Sequence, residues 1–545
     1  MNQQKYYQES IDAVALLKSC AKRKDLNKVC RFHAEILRRK LLEKDLFIGS
    51  TLISIYVKCG ALATAQEVLD QIPQPDVVSW TALMVGYARN GQYEETLRCF
   101  KQMQNEGICP DAFTFVCMLK ACASIKAHNE GQKAHAGITG EKGLIERNII
   151  IGTTLVDMYA KCGFIGKARE VFDDIQIRNV VLWNALITGY VQNEHSEEAL
   201  TCFGLMQQEG FSPDKFTFTC VLKACGRLGA FDKGEEVHIQ IVRQRLLQKD
   251  VLLGTALLDM YCKLGVFEKI EYVFDSLPIQ DIVSWTVLIS GYAQHGHVEK
   301  ALSYFERLQH IGITPNEVTI VCILRACGSI GAFVKGKLIH TGIIMRKESF
   351  EEKDILIGTS LVDMYSICGS PVDAHRVFEN LQVRDTVAWT TLINAYSQLG
   401  KYDMVVNLVN EMQEEGIKPS PITFMAILNV CSHSGLVDKG QMYFEIMSTK
   451  YGITPMLEHY VCMIDLLSRV GCIDKAIVLI KYMPVIDNLA MLITILNGCR
   501  RSGNVEVGRM AFGDASQMDG KDGGVYVCMS NIYAAAELKM EEIVR

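Results

Sequence analysis

The residues with the most obvious chemical potential in this 545-residue sequence are its histidines, its cysteines and the carboxylates near them. His33, Ala34 and Glu35 form a His-x-Glu triplet, the arrangement in which zinc deaminases place a metal-binding histidine beside a proton-transferring glutamate. That chemistry also requires a Cys-x-x-Cys pair, and none of the 20 cysteines has another cysteine three residues away. The triplet alone therefore predicts neither a zinc site nor a deaminase.

The same residue types recur at fixed intervals, which indicates a structural role repeated along the chain. The histidines that recur are His33, His135, His238 and His340, and the cysteine pairs are Cys117/Cys122, Cys220/Cys225 and Cys322/Cys327. Five residues turn a helix through about 500°, so the two thiols of a pair do not face one metal. We expect reduced, buried cysteines. Because no other motif typical of catalysis occurs, we expect no cofactor and no enzymatic activity in this sequence.

Internal repeats organise the sequence. The segment VVSWT at 77–81 returns at intervals of 103, 102 and 104 residues, and all four tryptophans occupy its fourth place. Fourteen repeats without a linker cover 10–487. The long repeats are 77–111, 180–214, 282–316 and 386–420; the middle repeats are 10–45, 112–148, 215–250, 317–354 and 421–456; the short repeats are 46–76, 149–179, 251–281, 355–385 and 457–487.

Each repeat predicts two helices. In 149–179, Leu155, Met158 and Tyr159 have the spacing of one helical face, and Gly163 is placed to end the first helix. Ala168 supplies a small residue where two helices would cross closely. A two-helix repeat of this length cannot bury its apolar face alone, so neighbouring repeats must stack on a continuous core. The predicted fold class is all-α, an α-solenoid of stacked, TPR-like helix-turn-helix repeats.

Composition excludes several other classes of protein. Hydrophobic residues make up 49% of the chain and charged residues 22%, which is too apolar for a disordered protein. No uninterrupted apolar run approaches the ~18 residues of a membrane helix, so no membrane partner is expected. The formal net charge of −6 argues against binding nucleic acid through a general basic field, but it permits recognition of bases by hydrogen bonds.

The repeats resemble the pentatricopeptide repeat family of plants. Their three recurring lengths, with the segments VVSWTALMVGYARNG, LKACASI and GTTLVDMYAKCG, are similar to the P, L and S repeats of its PLS subclass. Beyond the array, 488–521 resembles the first E motif of that family and 522–545 resembles part of the second, while 1–9 forms an N-terminal extension. No counterpart of the family's DYW deaminase domain occurs in this sequence.

The resemblance implies a function. The family binds single-stranded organellar RNA, and members with E motifs specify cytidines for C-to-U editing, with a DYW-type deaminase or an editing cofactor protein as partner through the E-like region. It also implies a mitochondrial or chloroplast location, although the first ten residues have no features of a transit peptide. Two alternatives remain: an organellar RNA stabilisation or splicing factor without an editing role, and a TPR-like protein-binding scaffold.

In that family the fifth and last residues of a repeat recognise one base, and the apolar second residue packs against the base face. The pairs of guanine type are Ser50/Asp76, Thr81/Asp111, Thr255/Asp281 and Thr359/Asp385, those of adenine type are Thr153/Asn179 and Thr286/Asn316, and the uracil-preferring pair is Asn184/Asp214. The base-packing residues are Phe47, Val78, Ile150, Val181, Leu252, Val283 and Leu356. With RNA parallel to the chain, 46–385 implies 5′-G-G-n-A-U-n-G-A-n-G-3′, in which n faces a middle repeat.

The sequence leaves three points undecided: the role of the middle repeats, the base that faces Thr390 and Ser420, and the role of the recurring basic residues. The middle repeats carry Val14, Val116, Thr219, Val321 and Met425 at the fifth place, so we expect spacers or weak contacts there. Thr390 with Ser420 matches none of the common pairs, which leaves its base unassigned. Recurring basic residues could contact phosphate or form a solvated face; they are Lys58, Lys161 and Lys263 in the short repeats and Lys18, Lys120, Lys223 and Arg325 in the middle repeats. Tryptophan at the fourth place, among Val and Leu at a helix start, predicts a core anchor rather than a stacking platform for bases.

Overall fold

The computed structural model consists of helices joined by short connections over the residues it describes, which are 26–39, 42, 46–140, 148–345, 355–472 and separate positions between 475 and 534. Two compact units divide the chain, 1–287 and 288–545. From residue 46 to residue 449, every repeat contributes two helices, as predicted. The all-α fold class is thereby confirmed.

The helices of the first unit begin in the middle repeat 10–45 and end in the short repeat 251–281. They are α1 (Leu26–Arg38), α2 (Leu46–Lys58), α3 (Leu62–Gln71), α4 (Val77–Arg89), α5 (Tyr93–Asn105), α6 (Ala112–Ile125), α7 (His128–Gly140), α8 (Ile149–Lys161), α9 (Ile165–Asp174), α10 (Val180–Gln192), α11 (Ser196–Gln208), α12 (Lys215–Leu228), α13 (Phe231–Arg243), α14 (Val251–Leu264) and α15 (Phe267–Ser276).

Helix α16 (Ile282–Gln294) contains the division between the units. The helices of the second unit are α17 (Val298–His310), α18 (Glu317–Ser329), α19 (Phe333–Met345), α20 (Ile355–Ile367), α21 (Pro371–Glu379), α22 (Thr386–Gln398), α23 (Tyr402–Glu414), α24 (Pro421–Ser434), α25 (Val437–Thr449) and α26 (Leu457–Val470). None of the helices in the described ranges is long and apolar enough to cross a membrane.

The short repeat 149–179 has the predicted buried helix face, the predicted helix end and the predicted small residue in its second helix. Leu155, Met158 and Tyr159 of α8 are at most 2% exposed and form its core face. Gly163, with φ of +86°, adopts the left-handed conformation that ends the helix at little cost for glycine. Ala168 of α9 is fully buried, so the small residue lies where the second helix packs.

The tryptophans are core anchors. Each of the four is at most 1% exposed, and Trp183 meets the ring of Phe172 edge-on with centroids 4.6 Å apart. Trp389 meets Phe378 in the same way, also at 4.6 Å. A buried indole has no free face for a base to stack on, so the core role is confirmed.

Glycine brings neighbouring repeats into close contact. A Cβ atom at Gly131 in α7 would lie 2.5 Å from the sulfur of Met158 in α8, and one at Gly336 would lie 2.5 Å from the sulfur of Met364. A Cβ atom this close would force the methionine side chain to move. The glycine therefore lets the second helix of a middle repeat approach the first helix of the following short repeat.

Residues of the C-terminal region add to the buried core of the last repeat. Ile464 and Leu467 of α26 share one buried cluster with Leu496, Cys499 and Ile532. Most of the E-like segments 488–521 and 522–545, and all of the extension 1–9, lie outside the described residues.

Candidate nucleic-acid interface

The His-x-Glu triplet belongs to the scaffold. His33 Nδ1 lies 3.1 Å from the hydroxyl of Tyr56, and Glu35 forms surface ion pairs with Arg38 and Arg39. The same histidine–tyrosine contact, at 2.8 to 3.0 Å, joins His135 to Tyr159, His238 to Tyr261 and His340 to Tyr365. Burial lowers the pKa of all four histidines, which favours neutral imidazoles. Across the described ranges, no group of His, Cys, Asp and Glu could hold a metal ion.

The recurring cysteines are packing residues as well. Cys122, Cys225 and Cys327 are fully buried free thiols. Burial raises the pKa of Cys122 to about 12 and the pKa of Cys225 to about 11. An undissociated thiol is a poor nucleophile and a poor metal ligand, so these side chains fill the core.

In most of the repeats whose ends the structure describes, the last residue caps the first helix of the next repeat, whereas Met456 makes no side-chain cap. Asp76 Oδ1 accepts a hydrogen bond from Ser79 N at 2.9 Å, and Asn179 Oδ1 accepts one from Leu182 N at 2.9 Å. Five further residues cap in the same way, each accepting from the backbone N–H three residues later at 2.8 to 2.9 Å: Asp111, Asp214, Asp281, Asn316 and Asp385. This capping role was not predicted from the sequence, although Asp or Asn directly before the first residue of a helix is its usual sign.

When an Asp or Asn at the last place of a repeat caps a helix, one of its two terminal side-chain atoms forms the capping bond and the other does not. A backbone N–H needs an oxygen acceptor, so the second atom is Oδ2 in an aspartate such as Asp76 and Nδ2 in Asn179. Oδ2 can only accept a hydrogen bond, whereas Nδ2 can only donate one. The choice between Asp and Asn at the last place is therefore a choice between an acceptor and a donor.

In the long repeat 180–214 the fifth and last residues are in direct contact. Asn184 Nδ2 donates to Asp214 Oδ1 at 3.0 Å, and Asn184 Oδ1 accepts from Thr217 Oγ1 at 2.6 Å. Thr217 Oγ1 also lies 3.0 Å from Asp214 Oδ1, so its single proton can be donated to only one of these two oxygens at a time. The structure thus brings this predicted pair together and fixes the orientation of its amide.

Two other long repeats make the corresponding link through a threonine of the following repeat. Thr81 Oγ1 lies 2.7 Å from Thr114 Oγ1, which donates to Asp111 Oδ1 at 2.7 Å. Thr390 Oγ1 lies 2.9 Å from Thr423 Oγ1, which lies 3.0 Å from the hydroxyl of Ser420. The fifth and last residues of these repeats therefore share one local hydrogen-bond network.

Hydroxyls at the fifth place of the short repeats bond to their own helix instead. Thr153 Oγ1 donates to Ile149 O at 2.8 Å, and Thr255 Oγ1 donates to Val251 O at 2.9 Å. Ser50 donates to Phe47 O at 3.2 Å, and Thr286 of a long repeat donates to Ile282 O at 2.6 Å. The buried hydroxyl of Thr359 has no hydrogen-bond partner among the residues that the structure describes.

The residues expected to pack on base faces are all exposed. Those of the first unit are Phe47 (58%), Val78 (55%), Ile150 (57%), Val181 (61%), Leu252 (76%) and Val283 (49%), and in the second unit Leu356 is 65% exposed. Each is the second residue of the first helix of its repeat. Large apolar side chains exposed at the same place in successive repeats contribute little to the core and are typical of a binding surface.

Comparison with known proteins decides the family. The PPR repeat family matches residues 75–124, 178–227, 280–329 and 384–433, and the PPR repeat matches 153–180, 216–246, 422–451 and 458–486. A mitochondrial pentatricopeptide repeat-containing protein of Arabidopsis thaliana is 31% identical over 519 residues, which cover 95% of this chain and 74% of that protein. The chain belongs to the pentatricopeptide repeat family.

Other pentatricopeptide repeat proteins are longer than this chain. A chloroplastic relative from Arabidopsis thaliana is 34% identical over 519 residues, 93% of this chain but only 58% of the relative. Among solved structures, maize PPR10 in complex with an 18-nt psaJ RNA element has a TM-score of 0.61 at 15% identity, covering 96% of this chain and 84% of PPR10. The latter similarity concerns the pentatricopeptide repeat fold.

Proposed function

We propose that this pentatricopeptide repeat chain binds single-stranded RNA in a sequence-specific manner. The observation that carries the proposal is the recurrence, repeat after repeat, of an exposed apolar residue beside polar groups at the fifth and last places. A nucleobase has apolar faces and a hydrogen-bonding edge, and this arrangement is complementary to both. The RNA complex of maize PPR10, a protein of similar fold, supports the same interpretation.

Hydrogen-bond chemistry supports the assignment of bases to repeats. The Watson–Crick edges of guanine and uracil have an N–H donor at their centre, whereas those of adenine and cytosine have a nitrogen lone pair there. The acceptor Oδ2 of Asp76 or Asp111 therefore suits guanine or uracil, and the donor Nδ2 of Asn179 suits adenine or cytosine. The family resemblance then separates purine from pyrimidine by the fifth residue, with Asn184 as the uracil-preferring one.

Binding to the heptamer assigned to the first unit tests this proposal. We expect the purified chain to bind 5′-GGUAUUG-3′, with U at both n positions, at least about tenfold more tightly than a permuted RNA of the same composition, because each mismatch removes about 1–3 kcal/mol. The net charge of −6 predicts a shallow dependence of affinity on salt. Equal affinity for both RNAs in fluorescence anisotropy would refute sequence-specific recognition and favour a protein-binding scaffold.

We further propose that the chain selects sites for C-to-U RNA editing in mitochondria or chloroplasts, with a deaminase supplied in trans. The resemblance of 488–521 and 522–545 to E motifs supports this role, as do the organellar names of its relatives. The cluster that joins Leu496 and Ile532 to α26 would hold the E-like region at the end of the array. A deaminase bound there would act next to the 3′ end of the recognised RNA.

Loss of the gene distinguishes editing from RNA protection. We expect a plant that lacks the protein to lose conversion at one or a few organellar cytidines while the level and splicing of that transcript stay unchanged. RNA sequencing of both organelles measures all three quantities. Reduced transcript level or retained introns with normal editing would instead support an RNA stabilisation or splicing factor.

A further inference from the structure

A cleft in the second unit contains Thr390 and Ser420, the pair that the sequence leaves without an assigned base. The cleft has a volume of about 310 Å³, within the range in which proteins bind small ligands. It is lined by side chains of α20, α22 and α24, and Asp363 of α20 supplies a carboxylate. Asp363 belongs to the short repeat 355–385, so a residue of the preceding repeat faces the same space as the fifth and last residues of 386–420.

The two residues at the fifth and last places offer little selectivity of their own. Ser420 has a single side-chain oxygen, and that oxygen accepts the capping hydrogen bond from Thr423 N at 3.2 Å. Thr390 is 7% exposed and donates its proton to Thr386 O at 2.7 Å. An aspartate or asparagine at the last place would leave a second polar atom outside the capping bond, whereas serine leaves none. Selection of a base in this cleft therefore requires another side chain.

The carboxylate of Asp363 lacks the partner that its counterparts have. In three other short repeats the ninth residue is an aspartate paired with a basic side chain four residues later: Asp157 with Lys161 at 2.8 Å, Asp259 with Lys263 at 2.7 Å, and Asp465 with Arg469 at 2.5 Å. Asp363 is followed at that distance by Ile367. Within the described ranges, the Asp363 side chain forms no ion pair and no hydrogen bond.

Asp363 is half-buried, so its charge is only partly solvated. Burial raises the pKa of Asp363, and the positive charge of Arg325 on α18 opposes this effect without cancelling it. Donors of a bound molecule would replace the water that the carboxylate loses. Because a carboxylate oxygen only accepts hydrogen bonds, that molecule must present N–H or O–H groups.

We propose that Asp363 recognises guanine in the nucleotide bound by the long repeat 386–420. The Watson–Crick edge of guanine has two adjacent donors, N1–H and the N2 amino group, which match the two oxygens of one carboxylate. Uracil has one N–H between two carbonyl oxygens, and adenine and cytosine place a nitrogen lone pair beside their amino group, so each forms at most one such bond. The inference rests on the proposed RNA-binding function and assigns specificity to a residue outside the fifth and last places.

Binding to 5′-GGUAUUGAUGN-3′, in which the base of the eleventh nucleotide N is varied, tests this proposal. The first ten nucleotides are those implied by 46–385, with U at each n position. We expect the RNA with guanine at N to bind about 5- to 100-fold more tightly than the other three, because a bidentate contact gives discrimination of this size. Asp363→Asn should bring the four affinities within about threefold of one another, since the amide keeps one acceptor and turns a donor toward the base. Fluorescence anisotropy measures these ratios.

Ile367→Lys tests the same carboxylate without removing it. A lysine at this position would pair with Asp363 as in the other short repeats, occupy one oxygen and lower the preference for guanine at least about threefold. Ile367→Met, of similar length but uncharged, should keep the preference. Asp259→Asn should keep it too, because it changes a carboxylate that Lys263 already occupies.

The outcomes separate this inference from the proposed function. Equal affinity of the unchanged chain for all four RNAs would overturn the inference, as would a guanine preference that survives Asp363→Asn or Ile367→Lys, or one that is lost in either control. If the unchanged chain fails to distinguish the heptamer from the permuted RNA, sequence-specific recognition itself fails. If it succeeds and Asp363→Asn changes nothing at the eleventh nucleotide, only this inference fails.

Discussion

Asn179→Asp should move the preferred base at the fourth nucleotide of the heptamer from adenine to guanine. The substitution replaces the donor Nδ2 by the acceptor Oδ2, while Oδ1 can keep its capping bond to Leu182 N. Asp and Asn cap helices about equally well, so the fold should be unaffected. Since a correct contact contributes about 1–3 kcal/mol of discrimination, the ratio of adenine to guanine affinity should fall by at least about tenfold and invert. Anisotropy titrations with both RNAs measure this ratio.

The reverse exchange in the same unit provides the control. Asp281 caps α16 by accepting from Ser284 N at 2.9 Å, so Asp281→Asn should also fold normally. Its preference at the seventh nucleotide should change from guanine to adenine, with the fourth nucleotide unaffected. If Asn179→Asp still prefers adenine, then Asn179 is a helix cap and not a base-recognising residue.

Local signals explain why the fold could be predicted from the sequence. The positive φ of Gly163 and the buried face around Leu155 depend on residues within one or two helical turns, and the repeats present such signals many times. The contact between His135 and Tyr159 joins neighbouring repeats, but its recurrence at a fixed spacing made a structural role predictable.

Contacts between the first helix of a repeat and the residue that caps the next repeat explain what the sequence did not predict. Asn184 meets Asp214 across 30 residues, and Lys215 occupies the carboxylate of Asp250 across 35 residues. These distances depend on how one repeat stacks on the next, which the period of a helix does not specify. The sequence could therefore identify the candidate base-recognising residues, but only the structure shows which of their side-chain atoms already form hydrogen bonds within the protein.

Trp183→Ala should lower the free energy of unfolding by about 3–5 kcal/mol, because it empties a fully buried aromatic site. The indole of Trp183 is 1% exposed, packs edge-on against Phe172 and lies 5.8 Å below the guanidinium of Arg178. Repeat proteins are stabilised by contacts between neighbours, so the loss should be concentrated near the substitution. Native-state hydrogen exchange of α10, together with urea unfolding, would measure it.

Replacement by phenylalanine separates the packing of the ring from the hydrogen bonding of the indole. The Nε1 atom of Trp183 is buried without a hydrogen-bond partner in the described part of the chain, whereas Nε1 of Trp389 donates to Glu415 Oε2 at 3.3 Å. Trp183→Phe keeps most of the packing and removes an unsatisfied donor, while Trp389→Phe also breaks a hydrogen bond. We therefore expect Trp389→Phe to cost about 1 kcal/mol more than Trp183→Phe in the same assay. Equal losses would mean that the bond to Glu415 contributes nothing, and a loss below about 1 kcal/mol for Trp183→Ala would contradict the role of tryptophan as a core anchor.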